Sequence, residues 1–204
     1  SLHRLTLDLA GDDPFAGHTF KGVDFPGTTV ETAWLDDVDV TVNAQSVGAF
    51  GHTAYGIHHS GTGGTLFPGG QEAIRRCSAT ALVNNAGTAI GLMADGGAAG
   101  LARILASNSR FAGGGTAGTR IGVRTNHAQN AVVLNGGAVK GTTTDVQVTA
   151  GSVLEVGVLR ETTGEFASTS MRNPESAYDT MNARVWCGDN TLVVDALYGS
   201  DVTG

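Results

Sequence analysis

The stretch Asn130-Ala-Val-Val-Leu-Asn-Gly-Gly-Ala-Val-Lys-Gly141 decides how the rest of the chain is read. Asn135-Gly136 stands between two short apolar runs, Ala131 to Leu134 and Ala138-Val139. A two-residue type I′ turn needs positive φ at both central positions, which Asn and Gly tolerate with least strain. The spacing therefore predicts a tight hairpin that places Val133 and Val139 on paired strands. Working outward, Arg120-Ile-Gly-Val-Arg124 precedes it and Ser152-Val-Leu-Glu-Val-Gly-Val-Leu159 follows it, each reading as a further strand. The middle of the chain is then expected to be an antiparallel β meander.

Composition agrees with a β protein. A chain of 204 residues holds one β domain with at most a small appendage. Residues 1–28 read as an irregular N-terminal segment or arm, and residues 29–204 as the β domain. The 31 glycines far exceed the usual share of about 7%. They cluster between apolar runs, as in Gly61-Thr-Gly-Gly64 and Gly113-Gly-Gly115. Such spacing punctuates many short strands and argues for a sandwich or barrel.

The formal net charge is -7, and Lys21 and Lys140 are the chain's lysines. No basic stripe is present, so no nucleic-acid partner is expected. No run approaches the length of a membrane span, so no membrane partner is expected either. Cys77 and Cys187 are far apart in sequence and could pair if their strands neighbour, but two reduced thiols are the favoured reading, and the absence of a CxxC spacing argues against structural zinc.

Alternation marks the strands. Val38, Val40 and Val42 oppose Asp37, Asp39, Thr41 and Asn43, giving one valine face and one charged face. Gln71 to Arg76 has weak helical character. Ser78 to Val83 and Thr88 to Ala94 read as strands joined at Asn84–Gly87, and Leu101 to Ala106 as another. His52 to Gly70 reads as a long loop with a short strand near Tyr55-Gly-Ile57. Val40, Val42, Leu82, Ile90 and Leu134 are expected in the core, with Trp34 and Trp186.

Several segments, in order, carry a resemblance. They are Ile90-Gly-Leu-Met-Ala-Asp-Gly-Gly97 with Ala102-Arg-Ile-Leu105, then Gly118-Thr-Arg-Ile-Gly-Val-Arg124, then Ala131-Val-Val-Leu-Asn-Gly-Gly137. Thr142 to Val148, Leu154-Glu-Val-Gly157 and Asn182-Ala-Arg-Val-Trp186 complete the series. Over about residues 75 to 195 the chain resembles the concanavalin A-like or laminin G-like sandwich of bacteriophage tail-fibre and other virion proteins. The resemblance implies an all-β fold, an antiparallel two-sheet β-sandwich of the concanavalin-like jelly-roll type. It also implies a place in the virion and partners among virion proteins.

The residues that could carry chemistry are few. Glucanases of that fold place carboxylates about 5–5.5 Å apart on one strand face for retaining hydrolysis. The nearest pattern here is Asp37-Val-Asp39, with Thr41 where a third acid would be needed, and it reads as a solvated strand face. Adjacent His58 and His59 on a strand point to opposite faces, which disfavours a shared metal. His127 reads as a polar loop residue. No Gly-x-Ser-x-Gly elbow supports a serine nucleophile. Asp95, after a buried strand, is the candidate calcium ligand, and no other cofactor is expected. Tyr55, His58 and Tyr178, in polar segments, are the candidate glycan contacts, since an exposed ring stacks on a sugar.

The expected function is a non-enzymatic bacteriophage virion structural protein at the particle surface, capsid- or tail-associated. Its partners would be other copies of itself and other virion proteins. The alternatives are a lectin-like module for a host cell-surface glycan and a glycoside hydrolase or lyase.

Overall fold

The computed structural model describes residues 2–12, 17–25, 34–45, 51–60, 74–84, 86–96, 103–126, 130–149, 153–156, 161–162, 184–187 and 192–194. The described residues are all-β, as expected, but the strands do not run antiparallel. Leu2–Asp12 (β1) and Leu35–Gln45 (β3) lie side by side and parallel, with Leu2 opposite Leu35, 33 positions on. Between them Thr19–Phe25 (β2) belongs to a different sheet, where it pairs in parallel with Thr53–His59 (β4). Residues 1–28 thus contain two strands that belong to the sheets, one of them the strand that the alternation of Leu5, Leu7 and Leu9 marks.

The same alternation continues along the chain. Ile74–Arg75 (β5) and Ser78–Val83 (β6) return beside β3, while Thr88–Ala94 (β7) continues beside β4. Arg103–Gly115 (β8) and Ala131–Gly141 (β10) extend the first sheet, and Thr119–Thr125 (β9) and Thr144–Val148 (β11) extend the second. Val153–Val156 (β12), Glu161–Thr162 (β13), Arg184–Cys187 (β14) and Leu192–Val194 (β15) complete a sheet of ten strands facing one of five. The pairing of β14 with β15 is antiparallel, and every other described pairing is parallel.

This overturns the antiparallel jelly roll. A meander needs each strand to turn back on its neighbour. From β1 to β12, apart from the short step between β5 and β6, each connection instead carries the chain to the opposite sheet, so the next strand of the same sheet arrives one full coil later in the same direction. The architecture is a two-sheet parallel β-solenoid, in which each coil contacts its neighbours.

The Asn135-Gly136 pair shows why the hairpin expectation fails. β10 runs straight through it, and Asn135 pairs with Ser107 of β8. Val133 pairs with Leu105 and Glu155, and Val139 with Phe111 and Thr162, so the two valines lie on one strand. Gly136 and Gly137 have φ of 75° and 103°, and these positive values make a bend, not a reversal. Among the described residues the bend recurs in four neighbouring coils. Asp37 (φ 60°), Arg76 (φ 53°) and Asn108 (φ 46°) occupy the positions stacked on Gly136. Non-glycine residues with positive φ are uncommon, and Asn and Asp tolerate it best. The Ser109 hydroxyl serves the bend, accepting from the Cys77 N–H at 3.1 Å and donating to the Ser107 carbonyl at 2.8 Å.

The second sheet has its own column. Register places Gly22, Gly56, Gly91 and Gly122 beside one another in the middle of four strands. They face the other sheet at close range. A Cβ on Gly91 would lie 2.5 Å from the Ala112 nitrogen and 2.7 Å from the Gly122 oxygen, and one on Gly56 would lie 3.0 Å from the Ala79 Cβ. Glycine at mid-strand here permits close backbone approach and does not mark a turn.

The main core fills the space between the sheets. Val38, Val40, Val42, Ile104, Val123 and Val132 are buried in it, and Leu134 is 2% exposed. Ile90, Met93 and Ile121 form a second, separate cluster against which Tyr55 packs. Two core expectations shift. Leu82 is half-buried because Ala79, Ala81 and Val83 take the inward positions of β6. Trp34 lies just before β3 and is 38% exposed. The Trp186, Leu154, Val156, Val185 and Val193 side chains lie outside the described residues. Cys77 is a buried free thiol whose Sγ lies 3.2 Å from the Arg75 carbonyl.

Candidate functional site

In the five-stranded sheet β4, β7, β9 and β11 each enter from a turn tied to the previous coil. The Thr53 N–H donates to the His18 carbonyl at 2.8 Å, and the Thr88 N–H to the His52 carbonyl at 2.9 Å. These bonds hold the coils in register, and register builds the site. Lys21 of β2 lies beside Tyr55 of β4, and Asp24 beside His58.

Tyr55 and His58 are three positions apart, and in a regular strand such residues face opposite ways. Here their rings are parallel within 16° with centroids 4.7 Å apart. Ile57 between them is fully buried in the main core, so the strand bends after Gly56 and brings Tyr55 and His58 to one side. The bend and the glycine column are the same feature.

Asp24 joins the two strands. Its Oδ1 lies 2.8 Å from His58 Nδ1, and its Oδ2 accepts from Lys21 Nζ at 2.9 Å. Partial burial pushes the Asp24 carboxyl up, but the hydrogen bonds from His58 and Lys21 outweigh it and hold it below the usual value. Burial pushes the His58 imidazole down, against the hydrogen bond to Asp24. Near neutral pH the pair is therefore a carboxylate and a neutral imidazole whose Nδ1–H donates to it. Burial also raises the Tyr55 phenol, with the Asp95 charge acting in the same direction and Arg124 against it, so the hydroxyl keeps its proton. The Lys21 and Asp24 side chains are 30% and 32% exposed. A pair so exposed contributes at most about 1 kcal/mol of stability. The corner thus offers an aromatic stack, a carboxylate and an ammonium, with no net charge among Lys21, Asp24, Tyr55 and His58.

Of the glycan candidates, the fold brings Tyr55 and His58 into contact, while Tyr178 lies outside the described residues. His127 lies outside them too. Asp95 follows β7, and its N–H donates to the His59 carbonyl at 2.8 Å. Among the described residues no group of three or more His, Cys, Asp or Glu side chains is placed to hold a metal ion, so Asp95 has no described ligand set for calcium. His59 points away from His58, fully buried beside the Phe25 ring at 6.0 Å.

The Asp37/Asp39 pair is broken by the bend. Asp37 has positive φ and is half-buried, Asp39 is exposed, and neighbouring Asp36 gathers the charge partners. Arg75 grips Asp36 through Nε at 3.1 Å and Nη2 at 2.6 Å, and Arg76 adds Nη2 at 2.8 Å. The Arg75 hydrogen bonds and the two guanidinium charges hold the Asp36 carboxyl at about 2.

Lys21 and Asp24 went unseen in the sequence because they lie in the supposed arm. One signal could have found them. Phe20-Lys-Gly-Val-Asp-Phe25 repeats the pattern of Ala54-Tyr-Gly-Ile-His-His59, which recurs as Ala89-Ile-Gly-Leu-Met-Ala94 and Arg120-Ile-Gly-Val-Arg-Thr125.

Compared with protein-family models, with curated proteins and with solved structures, the chain matches none of them.

Proposed function

We propose that the chain is a non-enzymatic structural protein of a virion surface, a stiff solenoid that assembles with copies of itself. The observation that supports this most is the unbroken stacking of parallel strands, in which the glycine and bend columns keep their places from coil to coil. Backbone hydrogen bonds then run along one axis through both sheets, which suits a load-bearing element. Among the described residues, β2 and β11 each pair on one edge. A strand with one unpaired edge is a template for another chain, and adding strands there extends a sheet without new side-chain chemistry. The net charge of -7 favours solubility of the separate copies.

Sedimentation velocity and negative-stain micrographs of the purified chain, over a concentration series into the tens of micromolar, test the reading. A defined homo-oligomer or rod is expected. A chain that remains monomeric throughout the series refutes self-assembly.

A further inference from the structure

We propose that the corner formed by Lys21, Asp24, Tyr55 and His58 binds a neutral pyranose sugar. The inference does not depend on self-assembly. It stands on the juxtaposition of three groups that a pyranose ring engages separately.

The first is the aromatic stack. A pyranose presents an apolar patch of C–H bonds on one face, with partial positive charge, and the face of an aromatic ring is negative. Tyr55 is half-buried, so part of the residue meets solvent. His58, stacked at 4.7 Å and 6% exposed, fixes the orientation of the tyrosine. A ring already held in place loses little freedom when a ligand settles on it, and such preorganisation favours binding.

The second and third are the carboxylate and the ammonium. Each oxygen of Asp24 spends one acceptor site, Oδ1 on His58 and Oδ2 on Lys21. A carboxylate has about four such sites, so about two remain for sugar hydroxyls. Lys21 Nζ has three donors, and one goes to Asp24. Neighbouring hydroxyls of a pyranose both donate and accept, so one can donate to Asp24 while the next accepts from Lys21.

Charge decides between neutral and acidic sugars. Lys21 is already matched by Asp24, His58 is neutral, and the charges of Asp95 and Arg124 act on Tyr55 in opposite senses. A sugar carboxylate placed here would meet Asp24, with no unmatched cation among Lys21, Asp24, Tyr55 and His58 to receive it. Like charges in contact disfavour the wrong ligand.

Saturation-transfer NMR on the full chain is the test. The probes are methyl glycosides of glucose, galactose, mannose and N-acetylglucosamine, with glucuronate and sialic acid as the acidic set. Neutral polysaccharide immobilised on a surface then separates recognition of a surface glycan from recognition of free sugar. At least one neutral glycoside should receive saturation at its ring C–H protons. Tyr55→Ala and Asp24→Asn should each weaken that binding at least about tenfold, while Tyr55→Phe keeps it. Circular dichroism checks that each variant is folded. If Tyr55→Ala unfolds, Asp24→Asn and Lys21→Gln, both at partly exposed side chains, decide alone. The proposal is overturned if no neutral glycoside binds, if the acidic set binds better, or if binding survives in the folded variants. A monomer that binds sugar would sink self-assembly and leave this proposal standing.

Discussion

Acidification should loosen the solenoid through His59. Its side chain is fully buried, and burial, with the nearby His58, holds its pKa down from 6.5 to about 4. The unfolded chain therefore binds a proton at His59 that the folded chain refuses. In the window between those two values the unfolded state carries more protons, so stability rises with pH. The stabilising contribution is complete above the unfolded value and disappears as pH falls toward the folded one. Integrated for this single group, moving from pH 7 to about pH 5 removes about 2 kcal/mol. That is a large share of the stability of about 5–15 kcal/mol typical of a domain. Urea unfolding followed by circular dichroism at a series of pH values measures it, with His59→Leu as the comparison. The variant fills much of the same space and cannot titrate, so the difference between the two proteins isolates the imidazole. Wild-type stability should fall by about 2 kcal/mol relative to the variant's as the pH drops from 7 to about 5. Parallel pH curves for the two proteins would show that His59 is not buried against protonation.

Two more outcomes follow from the columns. Gly91→Ala places a methyl 2.5 Å from the Ala112 nitrogen and should lose about 1–3 kcal/mol or more in urea unfolding. Gly114→Ala, whose added methyl meets the Leu82 Cδ2 at 3.0 Å, should lose far less, and equal losses would contradict the close sheet approach. At the bend, Asn108→Val should destabilise by about 1–2 kcal/mol because a left-handed backbone crowds the β-branched side chain. Asn108→Gly should be close to neutral, and the reverse order in thermal melts would remove the case for a strained column.

Strand content was legible because alternation along a strand depends only on which faces are buried, and Val38, Val40 and Val42 are buried as expected. Strand direction was not. Positive φ serves a bend as well as a reversal, and Gly136 and Gly137 supply it within a continuing strand, so residues 130–141 carried the wrong topology for a sound local reason. The coils also hide their period. Ala131 lies 22 positions before its partner Val153, whereas Asp39 lies 39 before Ser78. Excursions between strands stretch the repeat until only the short Gly-Val, Gly-Ile or Gly-Leu echo survives. Tyr55 and His58 were visible as polar-segment residues. Their contact was not, since it depends on a bend after Gly56 that strand periodicity forbids. Lys21 and Asp24 needed the inter-coil register, which no single segment contains.

The glycine and bend columns give the molecule an unusual tolerance to change in length. A coil is a self-contained layer that meets its neighbours through the same columns, whatever the size of the loop that leads to it. Duplicating or deleting a whole layer would keep the backbone ladder and the columns in step and move one end by about 4.8 Å, the spacing between adjacent strands. Reach could then be adjusted in layer-sized steps by recombination, while a one-residue slip inside a layer would bring side chains onto the glycine track. Gene-level variation in such a protein should concentrate in whole layers and in the loops, and spare the four glycines.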